Sequence, residues 1–279
     1  MYVVKVGGSL GDQLVNVCAD VQRLTERGEP VVVLHGGSAE ANRLHEQLGV
    51  PVRYLRSGSG MHSRYTDPAT LDVLTLAMAG RVKPSLTAHL VRCGVRAVGL
   101  TGIDGALVRA KKTPPAKAYL DDRLLVVRDD LTGRVVEVNA ELLLLLIGAG
   151  YVPVLSPPVI DPEVGPLNID GDRLASAIAV ALPATHLIIL SNVPGLLRDP
   201  ADPASLVPRL SLRSFAEHVE LAQGRMRVKL LAAQEALQRG VQHVILGDGR
   251  LDSPIEAALA GQGTTLDSDT LTEPEELAS

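Results

Sequence analysis

The sequence has very few aromatic residues: among its 279 residues there are five Tyr, one Phe and no Trp. This scarcity excludes the aromatic stacking platforms on which many proteins hold unpaired bases, and it predicts a core of Leu, Val, Ile and Ala. The net charge of -5 argues against general nucleic-acid binding, which usually needs a basic domain. We therefore expect no nucleic-acid partner.

Cysteines and long apolar runs are scarce as well. Cys18 and Cys93 are two isolated thiols, which make neither a disulfide framework nor a four-ligand metal site. The apolar run at residues 142–147 is far too short to cross a membrane, and no basic segment marks a signal peptide at the start. We expect a cytoplasmic protein with no membrane partner and no metal held by its own side chains.

Short β-branched runs alternate with amphipathic segments along the chain. The pattern predicts strands at residues 2–6, 31–35, 97–101, 152–155, 187–191 and 241–247, and helices at residues 13–27, 39–48 and 174–181. Nearly continuous apolar strands are typical of parallel strands that are covered on both faces. The sequence therefore predicts an α/β fold, an open α-β-α sandwich with a mainly parallel, doubly wound sheet. A mild boundary near residues 157–166 divides an N-terminal lobe (1–165) from a C-terminal lobe (166–279) on one continuous sheet.

Two segments interrupt this alternation, and positive charge without acids is concentrated in them at residues 51–66 and 109–117. Residues 51–66 and 109–136 are rich in turns, the second with strand-like pieces at 124–128 and 134–138, and both are interpreted as β-hairpins, the first as a substrate lid. A net-acidic protein that concentrates positive charge in two hairpins can present a docking surface to an anionic partner. The alternative is two solvated loops. The candidate docking residues are Arg53, Arg56, Lys111 and Lys112. The acidic tail at residues 267–279 has no periodicity, and we assign it no function.

Two glycine turns follow the first two predicted strands. Lys5 precedes Gly7, Gly8 and Ser9 in V-K-V-G-G-S, and Gly36 and Gly37 stand in H-G-G-S. Glycine lets a backbone approach a phosphate closely, and lysine supplies positive charge. Either turn alone is equally well a tight structural turn, but two of them at neighbouring strand ends favour an anion site. His35 is interpreted as a strand-end hydrogen-bonding residue, and the chain contains neither a P-loop nor a complete G-x-G-x-x-G.

Later motifs supply the remaining candidates. N-I-D-G-D places Asn168, Asp170 and Asp172 before a helix, where the acids are either helix caps or partners of Lys5 and Lys229. Lys229 lies on a helical segment in G-R-M-R-V-K. Ser191, Asn192 and Gly195 follow a strand in S-N-V-P-G-L, which is either a structural turn or the edge of a nucleotide site. For residues 102–105, G-I-D-G, we favour the structural turn.

As a set and in this order, these motifs resemble the amino acid kinase superfamily, in particular the acetylglutamate kinase family. S-G-S-G-M-H-S-R-Y-T-D resembles kinases that act on 2-aminoadipate attached to a small acidic amino-group carrier protein. The resemblance implies ATP with Mg²⁺ in the C-terminal lobe and the acyl substrate in the N-terminal lobe. It implies that Lys5 and Lys229 stabilise the transferred phosphoryl group, that Asp172 orients them, and that Gly7, Gly8, Gly36 and Gly37 donate backbone N–H groups. It places Arg64 and Asn168 on the substrate's α-carboxylate end.

The same resemblance implies an acyl-phosphate product in lysine biosynthesis, and in arginine biosynthesis where the carrier holds glutamate. The chain starts at its first strand, without the extra N-terminal helix of arginine-regulated hexameric relatives, so we expect a homodimer that arginine does not inhibit. Three alternatives remain open: an N-acetylglutamate kinase, a non-catalytic nucleotide or amino-acid sensor, and a structural interaction protein.

Overall fold

The computed structural model describes residues 1–58, 60, 62–211, 215, 219, 222 and 224–267. In chain order its strands are β1 (Tyr2–Val6), β2 (Val31–His35), β3 (Tyr54–Ser57), β4 (His62–Arg64), β5 (Ala97–Thr101), β6 (Val108–Lys112), β7 (Ala116–Leu120), β8 (Arg123–Val127), β9 (Gly133–Val138), β10 (Val152–Ser156), β11 (Val159–Asp161), β12 (Gly165–Leu167), β13 (His186–Ser191), β14 (Arg209–Leu210), β15 (His243–Asp248) and β16 (Thr264–Asp267).

The helices alternate with these strands as the sequence pattern indicates. They are α1 (Val17–Glu26), α2 (Ser38–Leu48), α3 (Pro68–Thr75), α4 (Lys83–Arg92), α5 (Ala140–Gly148), α6 (Gly171–Ala181), α7 (Gly224–Gln238) and α8 (Pro254–Leu259). A π-helical segment, Leu76–Val82, joins α3 to α4, and 3₁₀ segments occur at Gly8–Asn16, Asp104–Ala106 and Pro203–Ser205.

An eight-stranded sheet forms the centre of the molecule, in the order β14-β16-β15-β13-β1-β2-β10-β5. Its neighbouring strands are parallel except for β15 and β16. The predicted mainly parallel, doubly wound sheet is therefore confirmed. Strand β1 lies between β13 and β2, so the carboxyl ends of these three strands meet at the middle of one edge.

Alternate residues of the central strands pack into two apolar cores, one on each face of the sheet. Val3 and Leu34 contact the core that includes α6 and α7, whereas Val4 and Val33 contact the core that includes α1 and α4. Side chains of a strand point alternately to opposite faces, so a strand covered on both sides must be apolar throughout. This requirement explains the unbroken Val-Val-Val-Leu run of β2.

The predicted hairpin at residues 51–66 is present, whereas the segment 109–136 differs from the prediction. Strands β3 and β4 pair as expected, whereas β8 pairs with β7 and β9 pairs with β6. The strand-like pieces at 124–128 and 134–138 are therefore not partners of each other. Strand β7 also pairs with β3, which gives the small sheets β4-β3-β7-β8 and β12-β11-β6-β9.

Two further findings concern the end of the chain and its apolar segments. The predicted tail begins one residue too early, because Asp267 is a buried residue of β16 that accepts hydrogen bonds from Arg209 and His243. Residues 268–279 lie outside the described residues.

The apolar run at 142–147 belongs to α5, and no helix in the described part of the chain combines the length and apolar character that a membrane span needs.

Candidate functional site

The two glycine turns touch each other at the carboxyl ends of β1 and β2. A Cβ atom added to Gly8 would lie 2.3 Å from the backbone N of Gly37 and 2.7 Å from the carbonyl carbon of Gly36. A Cβ atom on Gly36 would in turn lie 2.8 Å from the N of Gly8. Only glycine permits this approach of two backbones. Helix α2 begins at Ser38, immediately after the contact, so its first N–H groups point towards the same edge of the sheet.

Three buried charged side chains lie beside this contact. Lys5 projects from β1 and Lys229 from α7, and both reach the carboxylate of Asp172 in the first turn of α6. The Nζ of Lys5 lies 2.7 Å from Oδ1, and the Nζ of Lys229 donates a hydrogen bond of 2.9 Å to Oδ2. The exposed fractions of Lys5, Asp172 and Lys229 are 7%, 5% and 8%. The structure thus brings together the three predicted catalytic residues, from positions 5, 172 and 229 of the chain.

Two positive charges and one negative charge leave this group with a net positive charge. Burial alone would raise the pKa of the Asp172 carboxyl, but the charges of Lys5 and Lys229 outweigh burial and hold that pKa well below its usual range. Burial and the neighbouring Lys5 lower the pKa of Lys229, while Asp172 opposes the shift. An additional anion would relieve the repulsion between the two ammonium groups. The group is therefore suited to receive negative charge.

The two acids of N-I-D-G-D have different roles. Asp170 is the N-cap of α6, since its carboxylate accepts hydrogen bonds of 3.0 and 3.1 Å from the backbone N–H groups of Asp172 and Arg173. Asp172 turns inwards to the lysines. Gly171 lies between them, where an added Cβ would be 3.3 Å from the Cε of Lys5. The capping alternative is thus correct for Asp170, and the lysine-partner alternative is correct for Asp172.

Arg64, at the end of β4, contacts helix α2. Its Nη2 donates a hydrogen bond of 2.6 Å to Asn42, one turn into α2, while its Nη1 is buried without a hydrogen-bond partner among the described residues. An orphaned guanidinium N–H in a buried position carries an energetic cost that a bound carboxylate would remove. The arrangement fits the predicted role of Arg64 in binding an acidic group.

Arg225 is a neighbour of Arg64 that the sequence analysis did not single out. Burial lowers the pKa of the Arg64 guanidinium, and the positive charge of Arg225 lowers it further against the opposing effect of Tyr54. Arg225 lies one helical turn before Lys229 on α7, so both side chains leave the helix on one face. The i, i+4 spacing within G-R-M-R-V-K is the signal that could have identified it.

Asn168 lies just before the cap of α6, and backbone hydrogen bonds hold it. Its N–H donates to the carbonyl of Leu131 at 2.9 Å, and its carbonyl accepts from the N–H of Gly133 at 3.1 Å. Its side-chain amide makes no hydrogen bond with other described residues. The two backbone hydrogen bonds fix the backbone of Asn168 two residues before Asp170, the cap of α6.

The residues predicted for the nucleotide edge follow β13. Ser191 is the buried last residue of that strand, Asn192 is exposed, and Gly195 has a φ of +156° in tight contact with Thr264. The neighbouring strand β15 ends at Asp248, and the N–H of Gly249 donates a 2.7 Å hydrogen bond to the Ser191 carbonyl. Ser9 is exposed beside the first glycine turn. These positions lie along the same carboxyl edge of the sheet as Lys5.

His35 and Asp104 have the structural roles that the sequence analysis favoured for them. His35 is buried, its Nδ1 lies 3.0 Å from the carbonyl oxygen of Gly36, and burial lowers its pKa to about 4. Such an imidazole is neutral near pH 7. Asp104 accepts hydrogen bonds from the N–H and hydroxyl of Thr101, as a turn residue does.

The four predicted docking cations already have contacts within the chain. Arg53 forms an ion pair of 2.5 Å with Asp67, and Lys111 one of 2.6 Å with Glu163. The guanidinium carbon of Arg56 lies 4.2 Å from the centre of the Tyr119 ring, and Lys112 donates to the carbonyl of Arg128. The positive charge of the two hairpins is therefore partly neutralised by acids just outside them.

No group of three or more His, Cys, Asp or Glu side chains within the described ranges is arranged to hold a metal ion. A positively charged group of side chains beside two close backbone turns is instead suited to a polyanion. A divalent cation can enter such a site bound to the phosphates of the ligand.

Comparison with known proteins agrees with this geometry. A model of the amino acid kinase family matches residues 1–248. The "[LysW]-aminoadipate kinase" of Deinococcus radiodurans is 45% identical over 266 residues, which cover 95% of this chain and 91% of that protein. The protein of the same name from Thermus thermophilus is 41% identical over 268 residues, covering 95% and 100%. The "Acetylglutamate kinase" of Methanothrix thermoacetophila is 34% identical over 278 residues, covering 97% and 93%.

A likeness in fold extends beyond these sequences. The crystal structure of smu.665 from Streptococcus mutans UA159 superposes with a TM-score of 0.79 at 24% identity, and the match covers 96% of this chain and 98% of that one. Because the family model spans most of the chain and the named relatives cover nearly all of it, this chain belongs to the amino acid kinase family.

Proposed function

We propose that the protein transfers the γ-phosphoryl group of ATP to the side-chain carboxylate of 2-aminoadipate attached to a small acidic amino-group carrier protein. The reaction would serve lysine biosynthesis, and arginine biosynthesis where the carrier holds glutamate. The observation that carries the proposal is the buried Lys5–Asp172–Lys229 group beside two touching glycine turns. The names of the Deinococcus radiodurans and Thermus thermophilus relatives support the choice of substrate.

The proposed chemistry needs no general base. A carboxyl group with a pKa of about 4.3 is already ionised at neutral pH. One carboxylate oxygen attacks the γ-phosphorus, the bond from that phosphorus to the β,γ-bridging oxygen breaks, and ADP leaves with the electron pair. The products are an acyl phosphate and ADP, and no proton has to move.

The difficulty of the reaction is electrostatic, because an anion attacks a polyanion. Lys5 and Lys229 would stabilise the charge that spreads over the phosphoryl oxygens in the transition state. Asp172 holds both ammonium groups in place, so they need no reorganisation as the charge develops. Of the four predicted glycine donors, Gly8 and Gly37 would add backbone N–H groups at the same edge of the sheet. The N–H groups of Gly7 and Gly36 already donate to the carbonyls of Leu190 and Val6, so these two glycines would not contribute donors. Mg²⁺ bound to the nucleotide would neutralise further phosphate charge.

Substrate binding divides between the two sides of the crevice. Arg64 and Asn168 would hold the α-carboxylate end, where the buried Nη1 of Arg64 donates to no other described residue. Ser191, Asn192 and Gly195 would line the nucleotide edge after β13. ATP would thus lie in the C-terminal lobe (166–279) and the acyl substrate in the N-terminal lobe (1–165).

The carrier would dock on the two basic hairpins. Arg56 and Lys112 have no carboxylate partner among the described residues, whereas Arg53 and Lys111 would exchange their present acids for those of the carrier. Charge-reversing changes at Arg56 or Lys112 should raise the apparent KM for the carrier, and the increase should be larger at low salt. An unchanged KM would remove these residues from the docking surface.

A homodimer remains part of the proposal. Leu76 and Val91, on the continuous helical segment from α3 to α4, are both 53% exposed, which a second copy of the chain could cover. Light scattering coupled to size-exclusion chromatography would measure the mass of the particle. A monomer at micromolar concentration would contradict this part.

A hydroxamate assay tests the substrate assignment. Enzyme, Mg·ATP and hydroxylamine are mixed with carrier-linked aminoadipate, carrier-linked glutamate or free N-acetylglutamate, and acyl phosphate is detected as the hydroxamate. We expect turnover with the carrier-linked substrates alone. Strong turnover of free N-acetylglutamate would instead support the acetylglutamate kinase alternative, which the Methanothrix thermoacetophila relative favours. Absence of acyl phosphate with all three acceptors would support a non-catalytic sensor.

A further inference from the structure

Asp130 connects two chain segments that each carry a predicted substrate residue. Its Oδ1 accepts a hydrogen bond of 2.8 Å from the N–H of Thr66, two residues after Arg64. Its Oδ2 accepts one of 2.6 Å from the hydroxyl of Thr132. The half-buried carboxylate thus joins the end of the β3–β4 hairpin to the segment that precedes β9.

Backbone hydrogen bonds continue this connection on both sides. The carbonyl of Thr66 accepts from the N–H of Leu131 at 2.7 Å, and the carbonyl of Leu131 accepts from the N–H of Asn168 at 2.9 Å. The hydroxyl of Thr66 also donates to the carbonyl of Arg64 at 3.2 Å. An unbroken path of hydrogen bonds therefore leads from Arg64 through Thr66 and Leu131 to Asn168.

The position of this path favours a role in substrate binding. Thr66 is fully buried, so the turn that follows Arg64 cannot shift without losing the bonds to Asp130 and Leu131. The hairpin itself is held separately, because β3 pairs with β7 and Arg53 forms an ion pair with Asp67. Loss of Asp130 should therefore alter the placement of Arg64 while the hairpin remains folded.

We propose that Asp130 is a positioning residue that sets the distance between Arg64 and Asn168 for the acceptor substrate. The inference rests on the proposed function, in which these two residues bind that substrate. Asp130 does not touch the reacting atoms. Burial raises the pKa of its carboxyl, and the hydrogen bonds from Thr132 and Thr66, which favour the ionised carboxylate, offset part of that rise.

Asp130→Ala should raise the KM for the carrier-linked acceptor about tenfold or more, the loss expected for one or two hydrogen bonds to a charged group. The KM for ATP should change less than about twofold. Asp130→Asn should restore most of the affinity, because its amide oxygen can accept from Thr66 and its amide nitrogen can donate to Thr132. Thr132→Val, which removes a single hydrogen bond, should have a smaller effect in the same direction.

Asp20→Ala is the matched control. Asp20 is another buried aspartate that joins two segments, by accepting hydrogen bonds from the N–H groups of Ile255 and Glu256, but it lies on α1. This variant should lose stability without a rise in the acceptor KM. Equal KM changes in the Asp20 and Asp130 variants, or an unchanged KM in Asp130→Ala, would overturn the inference. If Asp130→Ala does not fold, Thr132→Val gives the same comparison.

Hydrogen–deuterium exchange separates this inference from the proposed function. In the enzyme without substrates, Asp130→Ala should speed amide exchange at residues 62–67 and 129–133, and Asp20→Ala should not. Unchanged exchange at these residues would refute the connection whatever the activity. Faster exchange in Asp130→Ala, with no acyl phosphate formed by the wild type, would refute the proposed function and leave the connection intact.

Discussion

Replacing Asp172 by alanine tests the charge balance of the buried lysine pair. The carboxylate lies within 2.9 Å of both ammonium groups, and the three side chains are at most 10% exposed. Removing one partner of a buried ion pair costs about 3–5 kcal/mol, because the remaining charge stays buried without compensation. Two unit charges about 5 Å apart at an effective dielectric constant of about 20 also repel by about 3 kcal/mol. We expect Asp172→Ala to lower the free energy of unfolding by about 3–5 kcal/mol.

Two further variants make the expectation specific. Lys229→Ala leaves Asp172 paired with Lys5, so it should cost clearly less than Asp172→Ala. The double variant Asp172→Ala/Lys229→Ala should be more stable than Asp172→Ala alone, since it removes one of the two repelling charges. Urea unfolding near pH 7.5 without nucleotide measures the free energy of unfolding of all three variants. The reasoning would be refuted if the losses of unfolding free energy simply added in the double variant. It would also be refuted if Asp172→Ala lost less stability than Lys229→Ala.

The same group gives a pH dependence with a definite sign. The pKa of Asp172 is lower in the folded protein than in the unfolded chain, so below about pH 4 the unfolded chain binds a proton that the folded protein does not. The contribution of Asp172 to stability is therefore complete above that pH and declines as the pH falls. Asp172→Asn should reduce this acid-side decline. An identical decline in wild type and variant would contradict the assignment.

Three other predictions follow from single residues. Lys229→Ala should reduce kcat about 100- to 1000-fold but weaken ATP binding much less; calorimetry and the hydroxamate assay together measure both, and equal losses would contradict its role. His35→Asn should reduce the fall in stability between about pH 6.5 and 4, because the unfolded histidine binds a proton there that the buried one, with a pKa of about 4, does not. An unchanged slope of the free energy of unfolding against pH would contradict this. Gly8→Ala should abolish acyl-phosphate formation because its Cβ would collide with the backbone of Gly37, whereas Gly80→Ala, which meets no atom within 4 Å, should remain active; equal activities would contradict the glycine contact.

Local patterns were sufficient for the centre of the sheet. The bounds of β1, β2 and β5 agree with the prediction because each is an apolar run that ends at a glycine or a turn. The touching of the two glycine turns also follows from their places at adjacent parallel strand ends. For the same reason the sequence alone places Lys5 near the second glycine turn.

Long-range pairing was harder to predict. Strands β8 and β9 are adjacent in sequence, yet they belong to different small sheets, since β9 returns to β6. The continuous helical segment from α3 to α4 was not predicted, although Asp67 caps it and Pro68 occupies its first turn. Gly80 interrupts its periodicity at the π-helical segment.

Roles that depend on tertiary neighbours were not visible in the sequence. The residues of N-I-D-G-D alone do not reveal which acid caps α6, because that depends on the direction in which each side chain leaves the turn. Only the family resemblance assigned Asp172 to the lysines in advance. Asp130 lies in none of the motifs that the sequence analysis identified. Its importance comes from Thr66, which is 64 positions away in the chain.

The most direct test of the proposed chemistry follows the oxygen atoms. Carrier-linked aminoadipate with ¹⁸O in both side-chain carboxylate oxygens is incubated with enzyme, Mg·ATP and hydroxylamine, and the released phosphate is analysed by mass spectrometry. Hydroxylamine attacks the acyl carbon, so the oxygen that joined carbon to phosphorus leaves with the phosphate. Direct attack by the carboxylate predicts one ¹⁸O in each phosphate that accompanies a hydroxamate. Unlabelled phosphate would contradict the account, because the substrate carboxylate would then not be the phosphoryl acceptor.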